Sequence, residues 1–185
     1  MKKLIILLLI SSGLRSIAQV TSPPIIKNPL QTSVGSTISS KKDILVEKET
    51  VNLSKFKTLN LQKITLKNLS DNTSETSLGM MVQYETFDRI SKKTLTVEKS
   101  ELSKLVHSLQ TMEQKENEKI GNSEKKYKFA LNNNIEFGAV YKESLKTWVN
   151  YYIFPTEHYS HSINEFSKDE LKELIKLLIN AEKEL

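Results

Sequence analysis

IEFGAVYKESLKTWVNYYIF, residues Ile135 to Phe154, reads as two aromatic-rich strands, Ile135 to Tyr141 and Lys146 to Phe154, separated by a polar turn. Alternation along the second strand puts Trp148, Tyr152 and Phe154 on one face and Val149, Tyr151 and Ile153 on the other. After a loop over Pro155 to Glu165, Ser167 and Glu170 are spaced as a capping box and Phe166 and Leu171 as a hydrophobic staple, which together start a helix. Leu171, Leu174, Ile175 and Leu178 give that helix one apolar stripe. Burying so narrow a stripe does not offset the entropy lost on ordering the helix, so it must cover a sheet. One face of the aromatic hairpin then packs under the helix. The other meets the rest of the molecule or presents aromatics to a ligand.

The same order of elements occurs upstream. Phe56 to Leu69 alternates, with Leu59 and Leu61 on one parity and Ile64 and Leu66 on the other, which predicts a bulge or bend at Gln62-Lys63. The turn formers Ser70 to Ser74 join it to an extended stretch from Thr76 to Glu85, and Thr94 to Val97 is a brief third strand. Leu102, Leu105, Val106, Leu109 and Met112 mark a helix over Lys99 to Lys115. Glu113 to Lys126 separates the copies, and Tyr127, Phe129 and Leu131 alternate before the turn Asn132 to Asn134. Gly79 aligns with Gly138 at an offset of 59, while Val97, Glu101, Leu102 and Leu105 align with Phe166, Glu170, Leu171 and Leu174 at an offset of 69. The sequence thus predicts an α+β protein of two repeated βββα units, with antiparallel sheet and one helix per unit, spanning 53–118 and 119–185. Residues 19–52, with Pro23, Pro24 and Pro29, form a flexible or edge-pairing N-terminal arm in which Ile44-Leu45-Val46 is a short edge strand.

Residues 1–18 have the parts of a secretory signal: Lys2 and Lys3, the apolar run Leu4 to Ile10, and Ser16-Ile17-Ala18 before a mature start at Gln19. The expected location is therefore periplasmic or extracellular, with no transmembrane segment after signal removal. With no cysteine in the chain, disulfides, thiol catalysis and a lipid-modified cysteine are excluded. Removing Lys2, Lys3 and Arg15 with the signal leaves 24 basic residues against 22 acidic ones, so the mature chain is close to balanced. Nucleic-acid binding usually rests on a clearer basic excess.

The unit order resembles the curved-sheet, single-helix fold of the single-stranded-DNA-binding transcriptional coactivators and the plant Whirly proteins. The export signal, with IEFGAVYKESLKTWVNYYIF followed by FSKDELKELIKLLINAEKEL, also resembles uncharacterised secreted proteins of Bacteroidota. The likeness covers Phe56 to Leu185 and contains no catalytic motif, so it implies a fold and carries over no functional residue.

No constellation in the chain carries recognisable catalysis. His158 and His161 beside Glu157 lack the four-residue histidine spacing of a helical zinc site and read as a solvated loop, and His107 reads as a surface histidine on the first helix. There is no nucleophile elbow and no phosphate-cradling glycine loop. Asp169, Glu170, Glu182 and Glu184 read as helix-end and solvation groups. Lys125, Lys126 and Lys128, with Lys92 and Lys93, form small basic patches on turns and strands. No catalytic, cofactor or metal residue is assigned. The candidate ligand-facing aromatics are Trp148, Tyr151, Tyr152 and Tyr141. The expectation is an exported non-enzymatic binding or structural protein, partnered by a cell-surface protein or polysaccharide. The alternatives are a polyanion or single-stranded nucleic-acid binder, and a hydrolase with an unrecognised site.

Overall fold

The computed structural model describes residues 38, 43–86, 89–118, 125–155 and 162–185. The elements run β1 (Val46–Phe56), β2 (Leu59–Asn68), β3 (Ser74–Thr86), β4 (Arg89–Val97), α1 (Lys99–Lys115), β5 (Lys126–Ala130), β6 (Glu136–Lys142), β7 (Thr147–Phe154), β8 (Ser162–Phe166) and α2 (Lys168–Glu184). β1 to β4 form one antiparallel sheet in chain order, and β5 to β8 form another. The α+β class and the antiparallel sheets are as expected. The βββα unit is not, because four strands precede each helix.

Two strands account for the difference. β1 takes in Val46 to Asn52, which the sequence places in the arm, and pairs with β2 from Val46↔Asn68 to Phe56↔Leu59. Glu47 to Asn52 are exposed on both faces of this edge strand, so they show no alternation to read. β8 is a five-residue strand, SINEF, whose first four residues fall in the expected loop Pro155 to Glu165, and it pairs Phe166 with Asn150 and Ile163 with Ile153. Its polar composition hides it.

Two finer readings also change. The register shift lies in β1, between Asn52 and Ser54, and β2 itself runs straight through Gln62-Lys63. Ile64 changes parity because it lies on the outer face, filling the space above Gly79. The glycines are not equivalents either: Gly79 lies in the third strand of its sheet and Gly138 in the second strand of the other. The offset of 69 holds for the helices, Lys99–Lys115 against Lys168–Glu184, and for the last residues of the strands before them, Val97 in β4 and Phe166 in β8.

Both apolar stripes are buried in one core, Leu102, Leu105, Val106, Leu109 and Met112 from α1 with Leu171, Leu174, Ile175 and Leu178 from α2. The helices run antiparallel, since Ser103 meets Glu182 at one end and Asn117 meets Lys168 at the other. Each helix packs on its own sheet and on the other: α1 on β3 and on β5 and β6, α2 on β7 and on β1 and β2. The hairpin turns reach across in the same reciprocal way. Lys57 in the β1–β2 turn pairs with Glu170 at 2.7 Å, and the backbone N–H of Asn132 in the β5–β6 turn donates to Glu101 at 2.6 Å. All described residues fall within one compact unit, Ser36–Leu185, whereas the expected signal residues 1–18 and the loop histidines His158 and His161 lie outside the described residues.

Candidate functional site

The β5–β8 sheet sorts its side chains by strand parity. Pairing Phe137↔Tyr152, Ala139↔Asn150 and Tyr141↔Trp148 puts these residues on the helix-covered face, and Gly138↔Tyr151 puts Tyr151 on the outer one. The four candidate aromatics therefore separate. Tyr152 is wholly buried between the Phe56, Phe137 and Phe166 rings, and its hydroxyl meets Thr58 Oγ1 at 2.6 Å. Tyr151 lies flat across Gly138 on the outer face, donates to Glu136 at 2.9 Å and has Lys126 over its ring at 5.7 Å. Burial, reinforced by the Glu136 carboxylate, pushes the Tyr151 hydroxyl up to about 12. Burial alone would raise Glu136, but its bonds to Lys128 and Tyr151 and the nearby Lys126 charge outweigh this and hold it below the ordinary carboxylate range.

Trp148 and Tyr141 sit together at the far end of the hairpin. The indole stacks on Tyr127 with centroids 5.3 Å apart and 22° between planes, and Tyr141 meets it edge-on at 5.6 Å. Here the last residues of α1 and the first turn of α2 close over the sheet. They enclose an open cleft of about 370 Å³, walled by Tyr141, Thr147 and Trp148 and rimmed by Lys146. Glu116 and Glu118, just past the end of α1, and Lys168 at the start of α2 complete the lining.

Three polar groups at this place are nearly inaccessible. Glu116 is 7% exposed, Trp148 8% and Asn150, the next inward residue on β7, 1%. Neither Glu116 oxygen, neither polar atom of the Asn150 amide, nor Trp148 Nε1 has a hydrogen-bond partner among the described residues. Such groups are rare in folded proteins and each needs a physical reason. Burial pushes the Glu116 carboxyl above the ordinary range, while the facing Asn150 amide and the Lys168 ammonium pull it down and Glu113 adds to the rise. Asn150 influences Glu116 from close by without reaching bonding geometry. Its cross-strand partner is Ala139, whose methyl offers it nothing.

Sequence reasoning missed Glu116, Asn150, Tyr127 and Lys168. Two of them carry a signal in pattern. Asn150 is the polar residue at an inward position between Trp148 and Tyr152, and Glu116 extends the α1 stripe one step beyond Met112. Each is a polar residue where its element calls for an apolar one. His107 is exposed on α1, and of the basic patches Lys128 is paired with Glu136. Among the described residues no helix is long and apolar enough to cross a membrane. No protein-family model, curated protein or solved structure matches this chain.

Proposed function

We propose that the protein is an exported, non-enzymatic binding module whose ligand occupies the cleft between Tyr141, Trp148 and the end of α1. The observation that carries this reading is an open cleft lined by two buried side chains, Glu116 and Trp148, whose polar atoms have no hydrogen-bond partner within bonding geometry among the described residues. A folded core does not tolerate such groups without return, since each unmade bond costs about 1 to 3 kcal/mol. A ligand that supplies the missing partners recovers that free energy on binding. Export is read from Met1 to Gln19 of the sequence. The polyanion alternative draws less support, because Lys128 and Lys142 are paired with Glu136 and Glu165 on the outer face.

The indole N–H of Trp148, the single tryptophan, gives one resolved resonance for the test. A library of small polar compounds titrated into the mature protein should shift that resonance and the Asn150 side-chain amide together. The Lys126 and Lys128 resonances on the opposite face should stay in place. If no compound moves either cleft signal, the cleft is not a binding site.

A further inference from the structure

Glu116, at the C-cap of α1, and Asn150, in the middle of β7, face each other where the helix end meets the sheet. Asn117 bonds to Lys168, and Asn150 pairs with Phe166 just before α2, which brings the end of α1 to that point. Glu116 is 7% exposed and Asn150 1%, and none of their four side-chain polar atoms has a hydrogen-bond partner among the described residues. An ionised Glu116 would leave the two half satisfied. A carboxylate offers acceptors alone, so it takes an N–H from the amide and repels the amide oxygen. It would also hold a charge out of water.

The groups around Glu116 do not neutralise that charge. Lys168 on α2 pulls the carboxyl down but donates to Asn117 and bonds neither Glu116 oxygen. Glu113, one turn back on α1, opposes a second negative charge. Lys146 in the β6–β7 turn, Glu118 past α1, Tyr141 on β6 and Trp148 on β7 line the same cleft, and Glu118 is held by Lys115. Burial outweighs Asn150 and Lys168 and pushes the carboxyl above its ordinary range. A neutral carboxylic acid meets all four polar atoms, since its O–H donates to the Asn150 oxygen and its carbonyl oxygen accepts from the Asn150 amide N–H. We infer that Glu116 and Asn150 close as this acid–amide pair, with the proton on Glu116, and that the pair is a pH-sensitive latch fastening the end of α1 to β7. Ionisation removes the donor and opens it. The carboxylate then turns into the cleft that Glu116 already lines, and because Glu116 caps α1, only the helix end has to move. The latch is fully present below the ordinary carboxyl value of 4.5 and is lost as pH rises through the higher midpoint of the folded chain. Between the two, the open fraction grows about tenfold per pH unit, then levels off. The latch needs no ligand, so it stands or falls apart from the binding reading.

The test is a pH titration of the intact protein, followed by nuclear magnetic resonance at the Glu116 carboxyl carbon and the Asn150 side-chain amide. The expected result is one shared midpoint above 4.5. Corrected for the intrinsic pH dependence of exchange, the Asn150 amide protons should exchange about tenfold faster or more above that midpoint than well below it. Asn150→Ala should lower the Glu116 midpoint, because the acid loses both bonds to the amide and the carboxylate only one. Glu116→Gln keeps the pair, an amide standing in for the acid, so the Asn150 amide should hold its low-pH signal and slow exchange at every pH. A Glu116 midpoint at or below 4.5 overturns the latch, as does an Asn150 amide whose shift or exchange ignores the Glu116 titration. So does an Asn150 step that persists in Glu116→Gln. A midpoint that stays or rises in Asn150→Ala overturns it as well, since the amide would then be serving the carboxylate.

Discussion

Gly138 shows what a single missing side chain does in this fold. A Cβ there would lie 2.5 Å from Cζ and the hydroxyl of Tyr151 and 2.6 Å from the Tyr127 carbonyl oxygen. The aromatic could swing away, but the carbonyl belongs to the β5–β6 ladder and cannot. At Gly79 the nearest atom is Ile64 Cδ1 at 2.6 Å, the tip of a flexible side chain. Gly138→Ala should therefore destabilise by about 2 to 3 kcal/mol and Gly79→Ala by about 1 kcal/mol or less, measured by urea unfolding. Equal losses would show that the backbone contact at Gly138 is not what matters. Glu116 yields a prediction of the opposite sign. Its folded pKa is raised, so the folded state holds the proton more tightly than the unfolded chain, and stability falls as pH climbs above the ordinary value of 4.5. The groups facing it are Asn150, Lys168 and Glu113. Glu116→Gln removes the titration and should be more stable than the parent at neutral pH by about 1 kcal/mol. That advantage should fade in melting curves taken below the ordinary carboxylate pKa. A difference that stays constant with pH would mean the carboxylate is not buried in its charged form.

The two helices are started in different ways. α2 opens with a complete capping box, in which the Glu170 N–H donates to Ser167 Oγ at 3.3 Å and the Ser167 N–H donates to Glu170 Oε2 at 2.6 Å. Lys57 and the Ser167 N–H together keep Glu170 below the ordinary carboxylate range. α1 has Glu98 at its N-cap with no side-chain bond, and Glu101, at the matching position, reaches across to the Asn132 N–H instead. Ser167→Ala should cost about 1 kcal/mol in equilibrium unfolding, the usual worth of a cap, while Glu98→Ala should be close to neutral. Elements with a strong local signature were legible in the sequence: the α2 cap and both helical stripes lie where spacing puts them. β1 and β8 were not. An edge strand exposed on both faces, such as Glu47 to Asn52, is held by backbone hydrogen bonds, and those leave no mark on side-chain order. The cleft was half legible. Aromatic density pointed to Trp148 and Tyr141, but Glu116 and Lys168 come from other parts of the chain and meet them only in three dimensions.

At the scale of the whole molecule, the deciding fact is the exchange of cover between the two sheets. α2 lies on its own β7 and on β1 and β2, and α1 lies on β3 and on β5 and β6. Phe56, at the end of β1, packs edge-on against Phe166 at 5.3 Å and beside Tyr152 at 6.5 Å, so the second sheet depends on a ring from the first. Neither sheet with its own helix has a closed core. A fragment of residues 119–185 would lose α1 and Phe56, exposing Ile135, Phe137, Tyr152 and Phe154, each fully buried in the intact chain. What remains is a short four-stranded sheet with one helix, too small to offset the entropy of ordering it. The fragment should give a far-ultraviolet circular dichroism spectrum with little structure and poorly dispersed amide resonances. The chain from residue 36 onward should unfold in one step, with Trp148 fluorescence and circular dichroism tracing the same curve. A fragment with native dispersion, or a full chain whose two signals separate, would mean that each sheet and its helix form a core of their own and that the exchanged cover is not what closes them.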